Sequence, residues 1–169
     1  EFHGDTIRTM STSGRLVICN MSVEAGATSG IVPADEETLR YLKTEAGVTE
    51  RIEIVSADPD AVYEQIIEID VSKLAPQIAC PHTVDNVKTI DKVAGTKIDQ
   101  IVIGSCTNGR LDDLEIAART LKGKKVARGT RMLIFPASWR IYREALKRGY
   151  LADLAEAGAV VCNPGCGPC

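Results

Sequence analysis

The chain has 169 residues, enough to bury a hydrophobic core in one domain with a smaller appendage. Its formal net charge of −3 supplies no basic field, so neither nucleic acid nor a membrane surface is an implied partner. No apolar run approaches the ~20 residues needed to cross a bilayer, and no secretory signal precedes the first predicted strand. We therefore expect a cytoplasmic, reducing environment, in which clustered cysteines more often bind metal or do redox chemistry than form structural disulfides.

Residues 1–96 predict a partial α/β region that ends in a connector. Leu16–Cys19 is apolar and predicts a short buried strand. The next residues, 20–27, predict a short helix with Asn20 as its N-cap and Glu24 one turn later on the same face. From this spacing alone the pair has two interpretations, a cap beside a solvated carboxylate or two side chains that line a site.

Three further elements are predicted before the second half of the chain. Asp35 is the predicted N-cap of a helix that extends to Lys43, with acidic residues in its first turn and a basic residue near its end. Gln65–Val71 predicts a strand, since four of its seven residues are β-branched. Residues 75–82 contain two prolines and are predicted to be irregular.

Residues 97–169 have a much more regular pattern, a β-α-β-α-α-β order that predicts an α/β fold with a mostly parallel sheet. The predicted strands cover residues 98–103, 132–135 and 159–162, and the predicted helices cover residues 111–121, 138–147 and 151–157. Apolar positions recur at helical spacing in the helices, Ser138 is the predicted N-cap of the second helix, and glycine or proline follows several of the elements.

Three cysteines follow two of these strands closely. Cys106 comes three residues after the first strand, and Cys166 and Cys169 come four and seven residues after the third. Because parallel strands present their carboxyl ends at one edge of the sheet, we expect the three thiols to lie at that edge. Glycines in both loops allow backbone to approach a bulky inorganic group.

Several kinds of site remain compatible with these thiols. A redox Cys-x-x-Cys usually precedes a helix, whereas Cys166 and Cys169 end the chain. Structural zinc requires four ligands, for which Cys80, His82 or Cys162 could supply the fourth. The spacing of Cys162, Cys166 and Cys169 also matches the signature of radical-SAM enzymes, which belongs near the start of a long barrel. Buried structural cysteine is the simplest interpretation for Cys19 and Cys80.

Three thiolates that hold a [4Fe–4S] cluster account best for the pattern. A cubane has four irons, so three protein ligands at Cys106, Cys166 and Cys169 leave one iron without a protein ligand. An iron of that kind can act as a Lewis acid on a substrate hydroxyl and carboxylate. The cysteine count therefore favours a catalytic cluster over one that serves electron transfer alone.

Three motifs of the chain resemble those of the aconitase superfamily. They are Cys19-Asn20-Met21 with Glu24, Gly104–Asn108, and Pro164–Cys169. The resemblance to the superfamily extends over essentially the whole chain. Within the superfamily, the sequence is most similar to the isopropylmalate dehydratase branch, which is shared with homoaconitase. The segment around His82 is also similar to that branch.

The resemblance implies a three-layer α/β/α domain and a hydro-lyase that interconverts 2-isopropylmalate and 3-isopropylmalate in leucine biosynthesis. It implies that Cys106, Cys166 and Cys169 ligate the cluster. It further implies that Asn20 and Glu24 line the site, with Glu24 facing the hydroxyl or water on the open iron. The alternatives are a homoaconitase or aconitase acting on homocitrate or citrate, and a non-catalytic structural metal-binding module.

The resemblance also implies that the catalyst requires more than this chain. The His and Asp residues that handle the leaving hydroxyl in the family have no counterpart here, and neither does its Asn/Arg carboxylate-binding motif. A separate small subunit is expected to supply the serine base and the loop that selects the 2-hydroxy diacid substrate. We therefore expect an internal part of a large subunit, inactive by itself, in a heterodimer or heterotetramer.

Overall fold

The structure is a computed structural model that describes residues 1–168, and its contacts divide the chain into two compact units. One unit comprises Glu1–Val32 together with the chain from Ile98 onward. The other comprises Pro33–Lys97. Among the described residues, no helix is both long enough and apolar enough to cross a membrane.

A three-stranded parallel sheet forms the centre of the larger unit. Its strands lie in the order β3-β4-β5, so β4 is the middle strand. Three helices follow the strands in the predicted order. The bounds are β3 Gln100–Ile103, α4 Leu111–Leu121, β4 Arg131–Ile134, α5 Trp139–Lys147, α6 Tyr150–Glu156 and β5 Val160–Val161. The predicted α/β class and the parallel sheet are therefore confirmed.

The core of this unit lies between the sheet and the helices. Leu114, Ile134, Ala145 and Leu154 have no exposed surface, and α4, α5 and α6 pack against one another around them. Burial of one such leucine contributes about 1.5–3 kcal/mol, so these contacts dominate the stability of the unit. The core residues are Leu114, Ala117, Ala118, Met132, Ile134, Ile141, Ala145, Leu151, Leu154 and Ala159.

Local signals explain where these helices begin. Ser138 is the N-cap of α5, and its hydroxyl accepts a hydrogen bond from the Ile141 N–H at 3.2 Å. In α4, two carboxylates in the first turn lie where the helix dipole favours negative charge. Gly149 separates α5 from α6 with a φ of 80°, which only glycine adopts without strain.

The first thirty-two residues differ from the sequence prediction. They form two helices, α1 Asp5–Thr9 and α2 Thr12–Met21. The predicted strand at Leu16–Cys19 is wrong because these residues lie inside α2. Asn20 is likewise not an N-cap, since it lies in the last turn of that helix.

The structure shows why a helix forms there. The Ser11 hydroxyl caps α2 by accepting a hydrogen bond from the Gly14 N–H at 3.3 Å. Buried Arg15 donates to the carbonyls of Arg8 and Met10 at 2.9 and 3.0 Å, which satisfies the end of α1. A short apolar run does not distinguish a strand from a helix, and here the cap and Arg15 decide in favour of the helix.

The unit Pro33–Lys97 contains one helix, two short 3-10 turns and a hairpin among its described elements. Helix α3, Glu36–Thr44, begins at the predicted cap, where an Asp35 carboxylate oxygen accepts from the Thr38 N–H at 3.2 Å. The hairpin consists of β1 Gln77–Ala79 and antiparallel β2 Val87–Thr89. The prediction that residues 75–82 are irregular is therefore wrong, since β1 fits between the two prolines without including either.

The strand predicted for Gln65–Val71 is also wrong. These residues form no strand, and a 3-10 turn, Val71–Lys73, begins at the end of the segment. Ile66, Ile67 and Ile69 are between 71% and 78% exposed. The β-branched residues favour extended backbone, but a strand also needs a neighbouring strand to complete its hydrogen bonds. Among the described residues, no strand pairs with this segment.

Candidate metal centre

The first cysteine-bearing loop, residues 104–109, is called the Cys106 loop. It directly follows β3, and the Ser105 N–H donates to the Asn108 carbonyl at 3.1 Å, which closes a tight turn. Cys106 lies in this turn with an exposed side chain. The turn therefore presents the thiol beyond the carboxyl end of the strand.

Glycine is required at both ends of the Cys106 loop. Gly104 and Gly109 have φ values of 92° and 78°, which other residues adopt only with strain. A β-carbon on Gly104 would lie 2.1 Å from the carbonyl oxygen of Phe135, and one on Gly109 would lie 2.2 Å from the same oxygen. The two ends of the loop thus lie against one peptide group that follows the middle strand.

Helix α4 fixes the far end of the same loop. The Arg110 guanidinium donates through Nε to the Thr107 carbonyl at 3.1 Å. The Arg110 N–H donates to an Asp113 carboxylate oxygen at 3.0 Å, within the first turn of α4. These bonds connect the loop to a helix that is anchored in the core.

The second loop, residues 162–168, is called the Cys166 loop. It leaves the sheet where the Cys162 N–H donates to the Ile134 carbonyl of β4 at 2.9 Å. Gly167 has a φ of 65°, and a β-carbon there would meet ring atoms of Phe135 at 3.0–3.1 Å. Cys166 is exposed, and Cys169 lies outside the described residues.

The structure brings Cys106 and Cys166 together although 60 residues separate them. Their sulfur atoms lie 3.8 Å apart. The parallel sheet explains this arrangement, because β3 and β5 flank β4 and both loops leave from the same edge. The result is a pair of exposed sulfur donors, which is the donor type that iron–sulfur clusters and zinc both use.

The distance between the two sulfurs also tests the fit to a metal. Two thiolates on one tetrahedral metal ion, with bonds of about 2.3 Å, lie about 3.8 Å apart. Thiolates on different irons of a cubane lie farther apart, so cluster binding requires the two exposed loops to separate somewhat. Within residues 1–168, no group of three or more Cys, His, Asp or Glu is arranged to hold a metal ion.

The other described cysteines do not join this pair. Cys162 is half-buried at the start of the Cys166 loop, with its sulfur 3.8 Å from the Val160 carbonyl oxygen. Cys19 lies in α2, and Cys80 lies at the end of β1 in the hairpin of the other unit. Cys19 and Cys80 are only half-buried, whereas the sequence interpretation was buried structural cysteine, and their role stays a prediction.

Asn20 and Glu24 lie at the carboxyl end of α2. Asn20 is in the last turn, and the Glu24 N–H donates to the Met21 carbonyl at 3.1 Å in the turn that follows. Both side chains are exposed and make no hydrogen bond or ion pair within the described part of the chain. Their role in a site stays a prediction.

Two residues of the site were not identified from the sequence. Arg110 orients the Cys106 loop, and Phe135 contacts both loops. The signal for Phe135 was the strand order, because a residue directly after the middle strand must lie between the loops that follow the outer strands. That order cannot be read from one sequence, so only the structure identifies Phe135.

The fold and the thiol pair together define an α/β protein with two exposed thiols at one edge of its parallel sheet. Comparison with known sequences then gives the family. The sequence model of the aconitase family (aconitate hydratase) matches residues 1–96 and 87–169, and this chain belongs to that family. Membership implies an iron–sulfur cluster in general, which agrees with the sulfur donors at the sheet edge.

Curated relatives are similar along the whole chain. A probable 3-isopropylmalate dehydratase large subunit of Methanothermobacter thermautotrophicus is 52% identical over 169 residues. The 3-isopropylmalate dehydratase large subunit of Clostridioides difficile is 48% identical, and large subunit 1 of Methanopyrus kandleri is 50% identical. All of this chain is matched in each case, and it spans about 40% of the length of these relatives.

Proposed function

We propose that this chain is the cluster-binding part of the large subunit of a 3-isopropylmalate dehydratase. The reaction is the interconversion of 2-isopropylmalate and 3-isopropylmalate by dehydration and rehydration, in leucine biosynthesis. One observation supports the proposal most: Cys106 and Cys166, 60 residues apart in sequence, meet at one edge of the sheet in a chain about half identical to proteins of that name. Because the relatives are longer, the activity is proposed for the whole protein.

Cys106, Cys166 and Cys169 are the proposed ligands of a [4Fe–4S] cluster with one iron that the protein does not ligate. When bound, the cluster supplies a Lewis acid for the substrate hydroxyl and carboxylate. Glu24 is proposed to exchange a proton with the substrate hydroxyl or water, and Asn20 to donate or accept hydrogen bonds that orient the substrate. The turn that presents Cys106 and the Arg110 contact to it keep one ligand at the sheet edge.

Substrate and partner follow from the same proposal. The substrate is a small 2-hydroxy diacid, and a separate small subunit completes the site in the cytoplasm. Homocitrate and citrate are the alternative substrates within the family. Turnover of 2-isopropylmalate, homocitrate and citrate by the intact protein with its small subunit distinguishes them, and faster turnover of either alternative would reject isopropylmalate as the main substrate.

A non-catalytic metal-binding module is the alternative of a different class. The 3.8 Å sulfur separation favours it, because that separation suits two thiolates on a single zinc ion. A closed zinc site needs two further ligands, whereas the described residues supply no third one. Metal analysis of protein prepared without oxygen separates the two: zinc without acid-labile sulfide would overturn the cluster proposal.

The ligand assignment is tested by two matched serine variants of the intact protein. After anaerobic reconstitution with iron and sulfide, we expect Cys106→Ser to lose most of its bound iron and its cluster absorption. We expect Cys162→Ser to retain both, because Cys162 lies at the strand end beside the Val160 carbonyl and not with the thiol pair. Cluster loss in Cys162→Ser but not in Cys106→Ser would contradict the assignment.

A further inference from the structure

Phe135 contacts both cysteine-bearing loops through different parts of one residue. Its carbonyl oxygen lies against the two ends of the Cys106 loop, so close that a β-carbon at Gly104 or Gly109 would overlap it. Its ring lies against the Cys166 loop, where a β-carbon on Gly167 would be 3.0 Å from the ring. Phe135 thus contacts two loops that are distant in sequence.

The backbone of Phe135 is fixed by the sheet. Its N–H donates to the Ile103 carbonyl at 2.8 Å, which continues the pairing of β4 with β3. The next residue, Pro136, is fully buried, and a proline restricts the residue before it to extended conformations. Two residues on, the Ala137 N–H donates to the Gly109 carbonyl at 2.9 Å. The carbonyl beneath the Cys106 loop therefore cannot shift without disturbing the sheet.

The ring of Phe135 has little part in the core. Phe135 is half-buried and, within the described chain, is neither a core residue nor one of the partly buried residues packed against the core. A large aromatic side chain outside the core needs another reason to be ordered, and its contact with Gly167 supplies one. Phenylalanine has two side-chain torsions, so it forms a rigid support at small entropic cost.

We propose that Phe135 is a positioning residue that sets the separation of Cys106 and Cys166. Its carbonyl locates the Cys106 loop and its ring locates the Cys166 loop. This geometry is a property of the chain itself, whereas its consequence for cluster retention rests on the proposed function. Without the ring, the Cys166 loop samples more conformations and the two sulfurs spend less time in contact.

Thiol–disulfide exchange measures this separation without any cluster. In the intact protein with every cysteine except Cys106 and Cys166 replaced by serine, the two thiols are equilibrated with oxidised and reduced glutathione. One oxidised glutathione takes two electrons from the pair, so that one protein disulfide and two reduced glutathiones form. The sulfurs, 3.8 Å apart, must approach to about 2.05 Å, so the equilibrium constant reports their effective concentration.

We expect Phe135→Ala to lower this equilibrium constant about tenfold, and Phe135→Leu to lower it less because leucine retains bulk against Gly167. Tyr142→Ala is the matched control, since Tyr142 is a half-buried aromatic residue that packs against the core. We expect the control to lower the melting temperature more than Phe135→Ala does and to leave the thiol equilibrium unchanged. The proposal is overturned if Phe135→Ala leaves the equilibrium unchanged, or if Tyr142→Ala lowers it equally.

The cluster provides a second readout with all native cysteines present. We expect reconstituted Phe135→Ala protein to lose iron to a chelator faster than the parent does, because without the ring the loop that carries one proposed ligand is held less firmly. The Tyr142→Ala variant is expected to lose iron at the parental rate. If the parent takes up no cluster, the proposed function fails while the thiol equilibrium still decides the role of Phe135. If the parent takes up a cluster and both variants retain iron as the parent does, the positioning role is rejected.

Discussion

The Cys106 loop depends on backbone conformations that few residues can adopt. Gly104 combines a positive φ with a close approach to the Phe135 carbonyl, and these two requirements exclude any side chain. The Cys106 side chain places fewer steric requirements on the loop, since it is exposed in the turn. At the residue scale, the glycines and Phe135 therefore decide where the sulfur lies.

Substitution of Gly104 tests this requirement. We expect Gly104→Ala to lower the free energy of unfolding by about 1–3 kcal/mol, because the methyl group displaces backbone that the sheet holds. Gly129→Ala is a close control, with a φ of 89° against 92° for Gly104 and no atom within 4 Å of the added carbon. Urea unfolding of the intact protein measures both, and an equal loss in the two variants would show that φ alone matters.

At the scale of elements, helix α5 shows how local chemistry makes a boundary predictable. Ser138 precedes an apolar pattern at helical spacing, and its hydroxyl caps the helix as the sequence predicts. On the exposed face, Arg148 donates through Nε to a Glu144 carboxylate oxygen at 2.8 Å, one turn away. This hydrogen bond is the main cause that lowers the pKa of Glu144 below its ordinary value.

The lowered pKa of Glu144 predicts a pH dependence with a definite sign. The folded state binds fewer protons at Glu144 than the unfolded state, so the stabilisation is present above the unfolded pKa near 4.5 and lost as pH falls through the folded value. We expect melting temperature to fall less steeply in Glu144→Gln than in the parent between about pH 5 and about pH 3. The expected difference in melting temperature between Glu144→Gln and the parent is small and decreases at high salt, because the Glu144 and Arg148 side chains are both exposed.

Two controls separate this pair from the other carboxylates of the chain. Arg148→Gln is expected to reduce the same part of the pH dependence, since it removes the partner that lowers the Glu144 pKa. The double variant is expected to differ little from either single variant, as for two members of one interaction. Parallel pH profiles for the parent and Glu144→Gln would contradict the assignment.

At the scale of the whole molecule, the larger unit is stabilised by one core between its sheet and helices. Leu154 has no exposed surface and belongs to that core, whereas Leu146 is 54% exposed on α5. The same chemical change therefore has very different consequences at the two positions. The core supports the edge that carries both thiols, because α6 and β5 precede the Cys166 loop.

We expect Leu154→Ala to lower the free energy of unfolding by about 2–5 kcal/mol, through lost burial and a cavity. Leu146→Ala is the matched control and is expected to change stability by no more than about 0.5 kcal/mol. Chemical unfolding followed by circular dichroism measures both. Similar losses in the two variants would mean that Leu146 is covered in the intact protein.

The sequence by itself determined the second half of this protein. Strands 98–103 and 132–135 and the helices between and after them follow from hydrophobic period, caps and glycines, which are interactions among residues close in sequence. It also placed Cys106 and Cys166 after the carboxyl ends of two strands of one parallel sheet, and therefore at the same edge. Those signals are local, so they can be read from the sequence without knowing which elements pack against one another.

Only the tertiary structure decided the rest. Arg15, by binding the end of α1, is part of the reason that Leu16–Cys19 is helical, and the lack of a pairing neighbour among the described residues explains why Gln65–Val71 is not a strand. The strand order put Phe135 between the two loops, and the packing of those loops brought the sulfurs to 3.8 Å. These outcomes depend on contacts between segments that are distant in sequence. The energy of such contacts cannot be predicted from any short stretch of the chain.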